Sequence, residues 1–458
     1  MKIVLSLILT FILIFISFLS EGTHSIIVVS LFIVFTLLFL QTLNDFELRK
    51  ILILAFGMRI IAAIVSFSGF FPLEGASTTG DASFFHQESI KMMKQGANNL
   101  LIYFPDYLEN FYGYFVAWLY VIFGPFMIIP ICINVLFGVG IVYRVYQICL
   151  VVNNKIIARS IAKFTAIIPW LIILSATLIR EAPITFFIIS SIYFLVSFYR
   201  NGLVSNSIKS IICILLTTFL HGGLIFISII VCLAIVYFSI TSKYLRISYF
   251  SGVVSSFLIV LSVFLIVGFG LFSGSVNIYK LTALKQQSSQ EEVADFLQRK
   301  GGYAKSTDFN SFKRYRERIY IEKPIDFIKN LDIVIPFLFK PYITEFFKWK
   351  YPLHYFHSIL MLFFLYLLIK NLRKIKDDKL LFLLITIVIV NTIVFAFGTS
   401  TVNASIRHNY KMVPIIICVL AEFISKFRLI RSNLNFSKIY FFYTIEIILF
   451  LLVSRAII

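Results

Sequence analysis

Three side chains able to take part in proton transfer stand close together near residue 81. Asp81, His86 and Glu88 lie in the segment GDASFFHQESIKMMKQG, in which Asp81 directly follows Gly80. A carboxylate near an apolar boundary gains basicity from partial desolvation, so Asp81 is a candidate general base or metal-binding carboxylate, with His86 and Glu88 as companions. The apolar positions of the same segment predict an amphipathic helix that begins near Asp81, and its N-cap is the alternative role for this residue.

A further acidic residue, Glu181, follows Arg180 in the segment TLIREAP at the end of an apolar run. Charged residues near membrane depth are costly, so this pair is a functional candidate. The alternative is that Glu181 favours the N-terminus of the next helix while Arg180 extends to lipid head groups. His221, before two glycines, falls at a predicted turn and is either a turn residue or a side chain lining a site.

Arg407, His408 and Lys411 form a cationic group in the segment GTSTVNASIRHNYKMVP. Because Arg407 and Lys411 are four residues apart, they are expected to share one helix face. Two positive groups directed at one spot suit a phosphate or pyrophosphate, and nonspecific binding of lipid head groups is the alternative. The basic run KRYRER at 313–318 either serves the same ligands or is a solvated helix face.

The composition indicates a protein embedded in a membrane. Of its 458 residues, 60% are apolar and only 14% are charged, with a mean hydropathy of +0.94. Such values predict an all-α polytopic membrane protein. The net charge of +19 comes mainly from short basic loops, which argues against a nucleic-acid partner. The five cysteines lie in apolar runs without metal-ligand spacing, so no cofactor is predicted, although a divalent metal remains an open alternative.

The apolar runs predict about thirteen membrane-spanning helices, at about 20 residues each. They are 3–19, 25–42, 51–71, 126–148, 156–178, 183–199, 209–222, 223–240, 249–272, 353–370, 378–397, 411–425 and 438–454. A cytoplasmic N-terminus places the short basic loops inside, as the positive-inside rule requires. Two large loops, 72–125 and 273–352, then face outward from a single membrane domain of residues 1–458, and all the candidate residues lie on that outer side.

Two outer segments are predicted to lie in the membrane interface. Residues 112–124 are apolar but too few to span the bilayer, and they end in Gly-Pro. Residues 335–349 alternate aromatic side chains with lysines, as interfacial belts do. Both segments could instead be simple aromatic anchors.

This arrangement resembles bacterial membrane glycosyltransferases of the GT-C fold class, the group related to protein mannosyltransferases and aminoarabinose transferases. The resemblance rests on GDASFFHQESIKMMKQG, YGYFVAWLYVIFG, TLIREAP and ASIRHNYKMVP, and spans roughly residues 50–425. It implies a GT-C-like fold that transfers a sugar from a polyprenyl-phosphate-linked donor to a glycan or lipid acceptor. The reaction would take place on the outer face of the bacterial cytoplasmic membrane, in contact with membrane lipids, during cell-surface polysaccharide biosynthesis.

The resemblance also implies roles for individual residues. Asp81 would be the catalytic base, and Arg407 with Lys411 would bind the donor phosphate. The remaining candidates, expected to line the substrate site, are His86, Glu88, Arg180, Glu181, His221 and His408. The chain departs from the group in having one acid, Asp81, where a pair is common, and in having two predicted spans before the one that enters the first outer loop.

Two other functions fit the same sequence features. An O-antigen or capsule-type polysaccharide polymerase would extend a lipid-linked glycan with similar outer cationic loops. A transporter or flippase of lipid-linked sugars would also need many spans. Transporters gather ionisable groups and broken helices near the bilayer midplane and often contain repeats. In this sequence the polar groups concentrate in the outer loops and no repeat is evident, which favours an enzyme.

Overall fold

The computed structural model describes residues 23–67, 80–102, 104, 110–241, 331–339, 353–376, 378–398 and 402–426. Within these residues the chain is almost entirely helical and contains no strand. The all-α prediction is therefore confirmed for the part of the chain that is described. The predicted spans 3–19, 249–272 and 438–454, the basic run 313–318 and most of the loop 273–352 lie outside the described residues.

The described helices are numbered in chain order. They are α1 (Thr23–Gln41), α2 (Phe46–Phe67), α3 (Gly80–Lys94), α4 (Ala97–Ile102), α5 (Phe111–Phe123), α6 (Ile128–Val152), α7 (Lys155–Ile167), α8 (Pro169–Ser175), α9 (Glu181–Asn201), α10 (Val204–Leu220), α11 (Ile225–Thr241), α12 (Val334–Phe339), α13 (Leu353–Lys370), α14 (Leu372–Ile375), α15 (Lys379–Gly398), α16 (Val402–Tyr410) and α17 (Val413–Lys426). Short 3₁₀ helices, Gly222–Leu224 and Leu331–Ile333, precede α11 and α12.

Four of the described helical stretches are long and apolar enough to cross a membrane. They are Ile128–Val152, Glu181–Asn201, Gly222–Ser239 and Lys379–Phe397, and the bent pair α7 and α8 would make a fifth. Large apolar side chains such as Phe35 and Phe39 are about two-thirds exposed, at 67% and 68%. An apolar surface of this kind suits contact with lipid. These features agree with a multi-pass membrane protein, and the total of about thirteen spans stays a prediction.

The core is organised around α6. This helix packs against α1, α2, α5, α7, α8, α9 and α17. Its inward face carries fully buried branched side chains, among them Val135, Val142 and Val145. Farther out, α9 packs on α10, and α15 packs on α11, α12 and α17. A continuous buried apolar cluster joins these helices, so residues distant in sequence are held in fixed relation to one another.

The predicted span 156–178 is wrong as a single helix, because the helix breaks. α7 ends at Ile167, α8 begins at Pro169, and their axes differ by 62°. Proline has no N–H group and disfavours the helical conformation in the residue before it. Ile168 is accordingly extended, with φ −63° and ψ 117°. The chain therefore passes through two short helices and a loop before it reaches Arg180 and Glu181.

The prediction that Arg407 and Lys411 share one helix face is also wrong. α16 ends at Tyr410, and a turn at Lys411 and Met412 leads into α17. Pro414 lies in the first turn of α17, and its ring would clash with the carbonyl of Tyr410 in a continuous helix. The turn buries Lys411 to 1% exposure.

The segment predicted to form the first outer loop contains helices at the predicted places. α3 begins at Gly80, next to Asp81, and α5 has 13 residues, which is too short to span a bilayer. The side chain of Asn110 caps α5 by accepting a hydrogen bond from the Gly113 N–H at 3.2 Å. α3 and α5 pack together, with the rings of Phe85 and Tyr112 4.9 Å apart. Of the segment 335–349, only residues 335–339 are described, and they belong to α12.

Candidate active site

An ionic cluster joins the start of α3, the start of α9 and the last turn of α16. Arg407 Nη2 lies 2.6 Å from Asp81 Oδ2 and 2.5 Å from Glu181 Oε1. Its Nε donates a second hydrogen bond to Glu181 Oε1 at 3.1 Å. Charge-assisted hydrogen bonds of this length are among the stronger polar contacts in proteins. Three segments that are far apart in sequence are therefore fixed at one point by a single guanidinium group.

The two carboxylates of the cluster lie at different depths. The Glu181 side chain is 2% exposed, whereas the Asp81 side chain is 35% exposed. Glu181 Oε2 is buried and has no hydrogen-bond partner among the described residues. A buried carboxylate oxygen without a partner is costly, and sites that bind ligands often retain such groups. Asp81 is thus the more accessible of the two carboxylates, and Glu181 binds Arg407 from a buried position.

A second group, formed by His221, His408 and Lys411, adjoins the ionic cluster. Lys411 Nζ lies 3.0 Å from His408 Nδ1, and the Gly223 N–H donates to His221 Nδ1 at 3.2 Å. A charged Lys411 can only donate, so in that state Nδ1 accepts in both rings, and each neutral imidazole carries its proton on Nε2 and can donate from there. The two imidazole rings meet edge to face, with centroids 5.4 Å apart.

The aromatic ring of Phe395 in α15 supports this second group. It stacks on His408 with a centroid separation of 4.1 Å and lies 5.3 Å from the His221 ring. Lys411 Nζ lies 5.2 Å from the centre of the same ring, within range of a cation–π contact. Phe395 therefore orders all three side chains, although its position inside an apolar run gave no signal in the sequence.

Burial and neighbouring charges set the protonation of this group. Burial, reinforced by the positive charge of Lys411, holds the pKa of His408 and of His221 well below the ordinary value. Burial lowers the pKa of Lys411 to about 7, with Glu181 opposing the shift and Arg180 and Arg407 adding to it. Both histidines are then neutral donors at neutral pH. Lys411 is only partly charged there, so an arriving anion would complete its protonation.

The pKa of Arg407 is shifted in the opposite direction. Burial acts to lower its pKa, but attraction to Glu181 and Asp81 and the hydrogen bonds to both carboxylates raise it above its usual value. Arg407 is therefore a permanent cation that is already engaged by two carboxylates. An incoming anion must compete for Arg407, whereas Lys411 has a neutral partner, His408.

Arg180 joins the end of α10 to the cluster. Its Nη1 donates to the carbonyl of Leu220 at 3.2 Å, in the last turn of α10, where carbonyl groups lack helical partners. Its guanidinium carbon lies 5.9 Å from the centre of the Phe85 ring in α3. Arg180 thus adds a second permanent cation next to Glu181 and packs over the helix that carries Asp81.

Two of the predicted site residues lie apart from the cluster. Glu88 forms an ion pair with Lys91 at 2.7 Å on the outer face of α3. His86 Nδ1 is 2.7 Å from the hydroxyl of Tyr120 in α5, and burial lowers the pKa of His86. The described contacts of His86 thus join α3 to α5, while Asp81, seven residues before Glu88, faces Arg407.

An apolar groove of about 320 Å³ lies between α12, α13 and α15, and two of these helices, α12 and α15, also pack against α16. Its lining residues are Leu331, Val334, Leu338, Met361, Phe364, Leu365, Leu368, Val388, Ile389, Thr392 and Ile393. Two contacts connect the groove walls with the site. Asn409 Nδ2 donates to the carbonyl of Phe337 in α12 at 2.9 Å. On α15, Thr392 and Ile393 precede Phe395 by less than one helical turn.

The arrangement can accept a proton at Asp81 and bind an anion with Lys411, Arg180 and the two imidazole N–H groups. Within the described residues no group of three or more His, Cys, Asp or Glu side chains could hold a metal ion. Cys132, Cys149, Cys232 and Cys418 are buried and Cys213 is half-buried, and all five are free thiols. Comparison of the chain with known protein families and with curated proteins finds no match in either.

Proposed function

We propose that the protein is a glycosyltransferase of the bacterial cytoplasmic membrane, with a GT-C-like fold of about thirteen spans. It transfers a sugar from a polyprenyl-phosphate-linked donor to a glycan or lipid acceptor on the outer face, in cell-surface polysaccharide biosynthesis. The observation that carries the proposal is a partly exposed carboxylate, Asp81, which pairs with Arg407 next to the buried amine of Lys411. Transfer from a phosphate donor needs both a base and a cationic leaving-group site.

The proposed reaction is a single displacement at the anomeric carbon. The acceptor hydroxyl oxygen forms a bond to that carbon, the bond from carbon to phosphate oxygen breaks, and the phosphate keeps the electron pair. Asp81 takes the hydroxyl proton. Arg407 lies against Asp81 and keeps that carboxylate oriented, which explains why the two groups are paired before substrate binds.

The leaving phosphate is assigned to Lys411, Arg180 and the Nε2–H groups of His221 and His408. These donors are fixed by Phe395, by Leu220 and by one another, so they need little reorganisation when negative charge develops. The sequence predicted that Arg407 binds the donor phosphate. We instead assign it the role of orienting the two carboxylates. This assignment follows from its contacts with Asp81 and Glu181.

The apolar groove supports a lipid-linked donor rather than a soluble nucleotide sugar. A groove of about 320 Å³ is comparable with small-molecule sites, which start at about 300 Å³. Its position beside α16 suits an amphiphile whose phosphate binds Lys411 and whose first isoprene units follow α12 and α15.

The first test is transfer by the purified full-length chain in proteoliposomes containing a radiolabelled polyprenyl-phosphate sugar and acceptor lipids from bacterial membranes. We expect Asp81→Asn to lower kcat by on the order of 10²-fold or more, the usual contribution of a general base. Glu47→Gln is the matched control, because Glu47 is an exposed carboxylate paired with Lys50 far from the cluster. Transfer by Asp81→Asn at the wild-type rate would refute the assignment of Asp81.

One observation favours a transporter of lipid-linked sugars as the second candidate. The chain contains a broken helix, α7–α8, and a fully buried arginine, Arg59, beside it, and such features accompany binding sites in transporters. The same proteoliposomes separate the two functions. A transporter moves the labelled donor across the bilayer with its sugar–phosphate bond intact, whereas a transferase releases polyprenyl phosphate.

A further inference from the structure

Two buried polar side chains, Arg59 in α2 and Asn134 in α6, contact the segment that leads to Glu181. They are 0% and 1% exposed. Arg59 Nη1 donates to the carbonyl of Ala166 at 3.2 Å and to that of Ala55 in its own helix at 3.0 Å. Asn134 Nδ2 lies 2.7 Å from the carbonyl of Thr177 and 2.9 Å from that of Ile179. The two side chains therefore hold backbone groups rather than one another.

The carbonyls that they hold mark the two ends of the broken segment. Ala166 is in the last turn of α7, just before the break, where carbonyl groups lose their helical partners. Thr177 and Ile179 are in the loop after α8, which leads directly into Arg180 and Glu181. Side chains commonly satisfy backbone groups freed where a membrane helix breaks. Arg59 thus fixes the entry of this segment, and Asn134 fixes its exit.

One face of α6 accommodates both contacts. Asn134 and Gly138 are four residues apart, so they lie one above the other on that face. A Cβ atom at Gly138 would stand 2.4 Å from Arg59 Nε and 2.6 Å from Ser175 Oγ. Glycine is therefore needed there for the guanidinium to reach the break. Asn134 also contacts the hydroxyl of Tyr112 at 2.9 Å, which links it to α5 and, through Phe85, to α3.

The burial of these two polar side chains lowers the stability of the fold. Arg59 Nε and Nη2 and Asn134 Oδ1 are buried without hydrogen-bond partners among the described residues. A buried charge with incomplete hydrogen bonding destabilises a protein, and apolar residues of similar size often restore stability. Two such residues, each bound to one end of the segment that leads to Glu181, are better explained by a requirement for geometry than by a contribution to stability.

We propose that Arg59 and Asn134 are positioning residues, which fix the broken segment 166–180 so that the Glu181 carboxylate meets the Arg407 guanidinium. The catalytic part of this inference, a role in sugar transfer, rests on the proposed function. The geometric part concerns only the pairing of Glu181 with Arg407 and can be tested without any measurement of sugar transfer.

The test is a double-mutant cycle on thermal unfolding of the purified full-length chain in detergent. Glu181→Gln, Arg407→Gln and the double variant are compared in three backgrounds: wild type, Asn134→Leu and Ser191→Ala. In the wild-type background we expect the two changes to be non-additive in Tm, because the residues are in contact. In the Asn134→Leu background we expect near-additivity, since Glu181 no longer faces Arg407.

Ser191→Ala is the matched control for a lost buried polar contact. Ser191 exchanges hydrogen bonds with Ser210 of α10 at 2.9 Å, ten residues beyond Glu181 on α9. Its loss should lower Tm while leaving the coupling between Glu181 and Arg407 unchanged. Undiminished coupling in the Asn134→Leu background, equal to that in the Ser191→Ala background, would overturn the positioning role of Asn134.

Arg59 is tested by Arg59→Met and Arg59→Lys in the same cycle. We expect Arg59→Met to fold with an equal or higher Tm but to lose the coupling, and Arg59→Lys, which keeps a charged donor, to recover part of it. Full coupling in folded Arg59→Met would overturn the proposal for Arg59. Should Arg59→Met not fold, coupling in Arg59→Lys below the wild-type value supports the proposal, and full coupling there contradicts it.

Transfer activity then separates the inference from the proposed function. A displaced Glu181 should lower kcat by up to about 10²-fold with little change in the donor KM, because small misplacements mainly affect the transition state. If the wild-type chain transfers no sugar while the coupling behaves as expected, the proposed function fails and the positioning role stands. If transfer is normal in uncoupled variants, the positioning role in catalysis fails and the proposed function stands.

Discussion

At the scale of single residues, Lys411 makes the proposed site sensitive to pH. Its pKa in the folded protein is about 7, below the ordinary 10.5, because burial disfavours the charged form. The unfolded chain therefore binds more protons between pH 7 and 10.5, and Lys411 makes stability rise with pH across that window. Anion binding needs the charged form. We thus expect affinity for a phosphodiester donor, whose own charge is constant, to fall as pH rises above about 7, by up to about tenfold per unit.

The pH dependence of the donor KM between pH 6 and 9 measures this effect. Lys411→Arg is the informative variant, because arginine stays charged throughout that range, and its KM should be nearly independent of pH. Lys411→Met should bind weakly at every pH. A KM that rises with pH as steeply in Lys411→Arg as in wild type would assign the titration to another group.

The sequence predicted which residues form the site better than it predicted how those residues are arranged. Asp81, Glu181 and Arg407 stood out because charges are rare in this chain, and the structure brings all three into contact. Their pairing could not be predicted, since it depends on segments up to 326 residues apart. Phe395 and Asn134 were missed for different reasons. Phe395 is one of 52 phenylalanines. Asn134 is a polar side chain near the middle of an apolar run, which is itself a detectable signal.

At the scale of elements, the close approach of α2 to α6 at Gly138 gives a direct prediction. Gly138→Ala should lower the stability of the protein by about 1–3 kcal/mol, because the new methyl group would overlap the Arg59 side chain and Ser175. Gly57→Ala is the matched control in helix α2, since no atom lies within 4 Å of its added Cβ. There, higher helix propensity should leave Tm unchanged or raise it.

Thermal unfolding in detergent distinguishes the two alanine variants. A Tm for Gly138→Ala equal to that of Gly57→Ala would mean that Arg59 does not cross α6 at this point. Another side chain would then have to bind the Ala166 carbonyl and fix the entry to the broken segment.

Helix positions followed from hydrophobic runs, but helix breaks did not. Runs of about 20 apolar residues located α1, α2, α6, α9, α13 and α15 within a few residues, because the need to satisfy backbone groups favours helices in such runs. The breaks at Pro169 and before Pro414 were missed, because a count of apolar residues does not register the lost N–H or the ring clash of proline. Those breaks matter for function, since one leads to Glu181 and the other creates the turn that buries Lys411.

At the scale of the whole molecule, two ionic groups lie at opposite ends of α6. Asp45 Oδ1 accepts from Arg159 Nη2 at 2.6 Å, and its Oδ2 lies 3.2 Å from Lys155 Nζ and accepts from the Tyr146 hydroxyl at 3.0 Å. Burial acts to raise the pKa of Asp45, but these contacts and the Leu48 N–H hold it well below its usual range. Tyr146 and Asn134 are about 18 Å apart along the helix. The Asp45 group and the proposed site are therefore about three turns of α6 apart.

The orientation of these two ends decides whether the proposed site faces outward. The basic loops predict that the Asp45 end is cytoplasmic. Lys91 on α3, with its side chain 69% exposed, lies at the end of the molecule that carries the proposed site. Arg373 is exposed in α14, in the connection between the predicted spans 353–370 and 378–397, which is predicted to be cytoplasmic. A membrane-impermeant maleimide should therefore label Lys91→Cys in intact cells, but label Arg373→Cys only after the cells are permeabilised.

The unsubstituted chain is the control for that experiment, because four of its five cysteines are buried and Cys213 is only half-buried. Labelling of Arg373→Cys, and not Lys91→Cys, in intact cells would place the cluster in the cytoplasm. A polyprenyl-linked donor presented at the outer face could not then reach Lys411. The ionic cluster would keep its geometry, but its substrate would have to be an anion available on the cytoplasmic side.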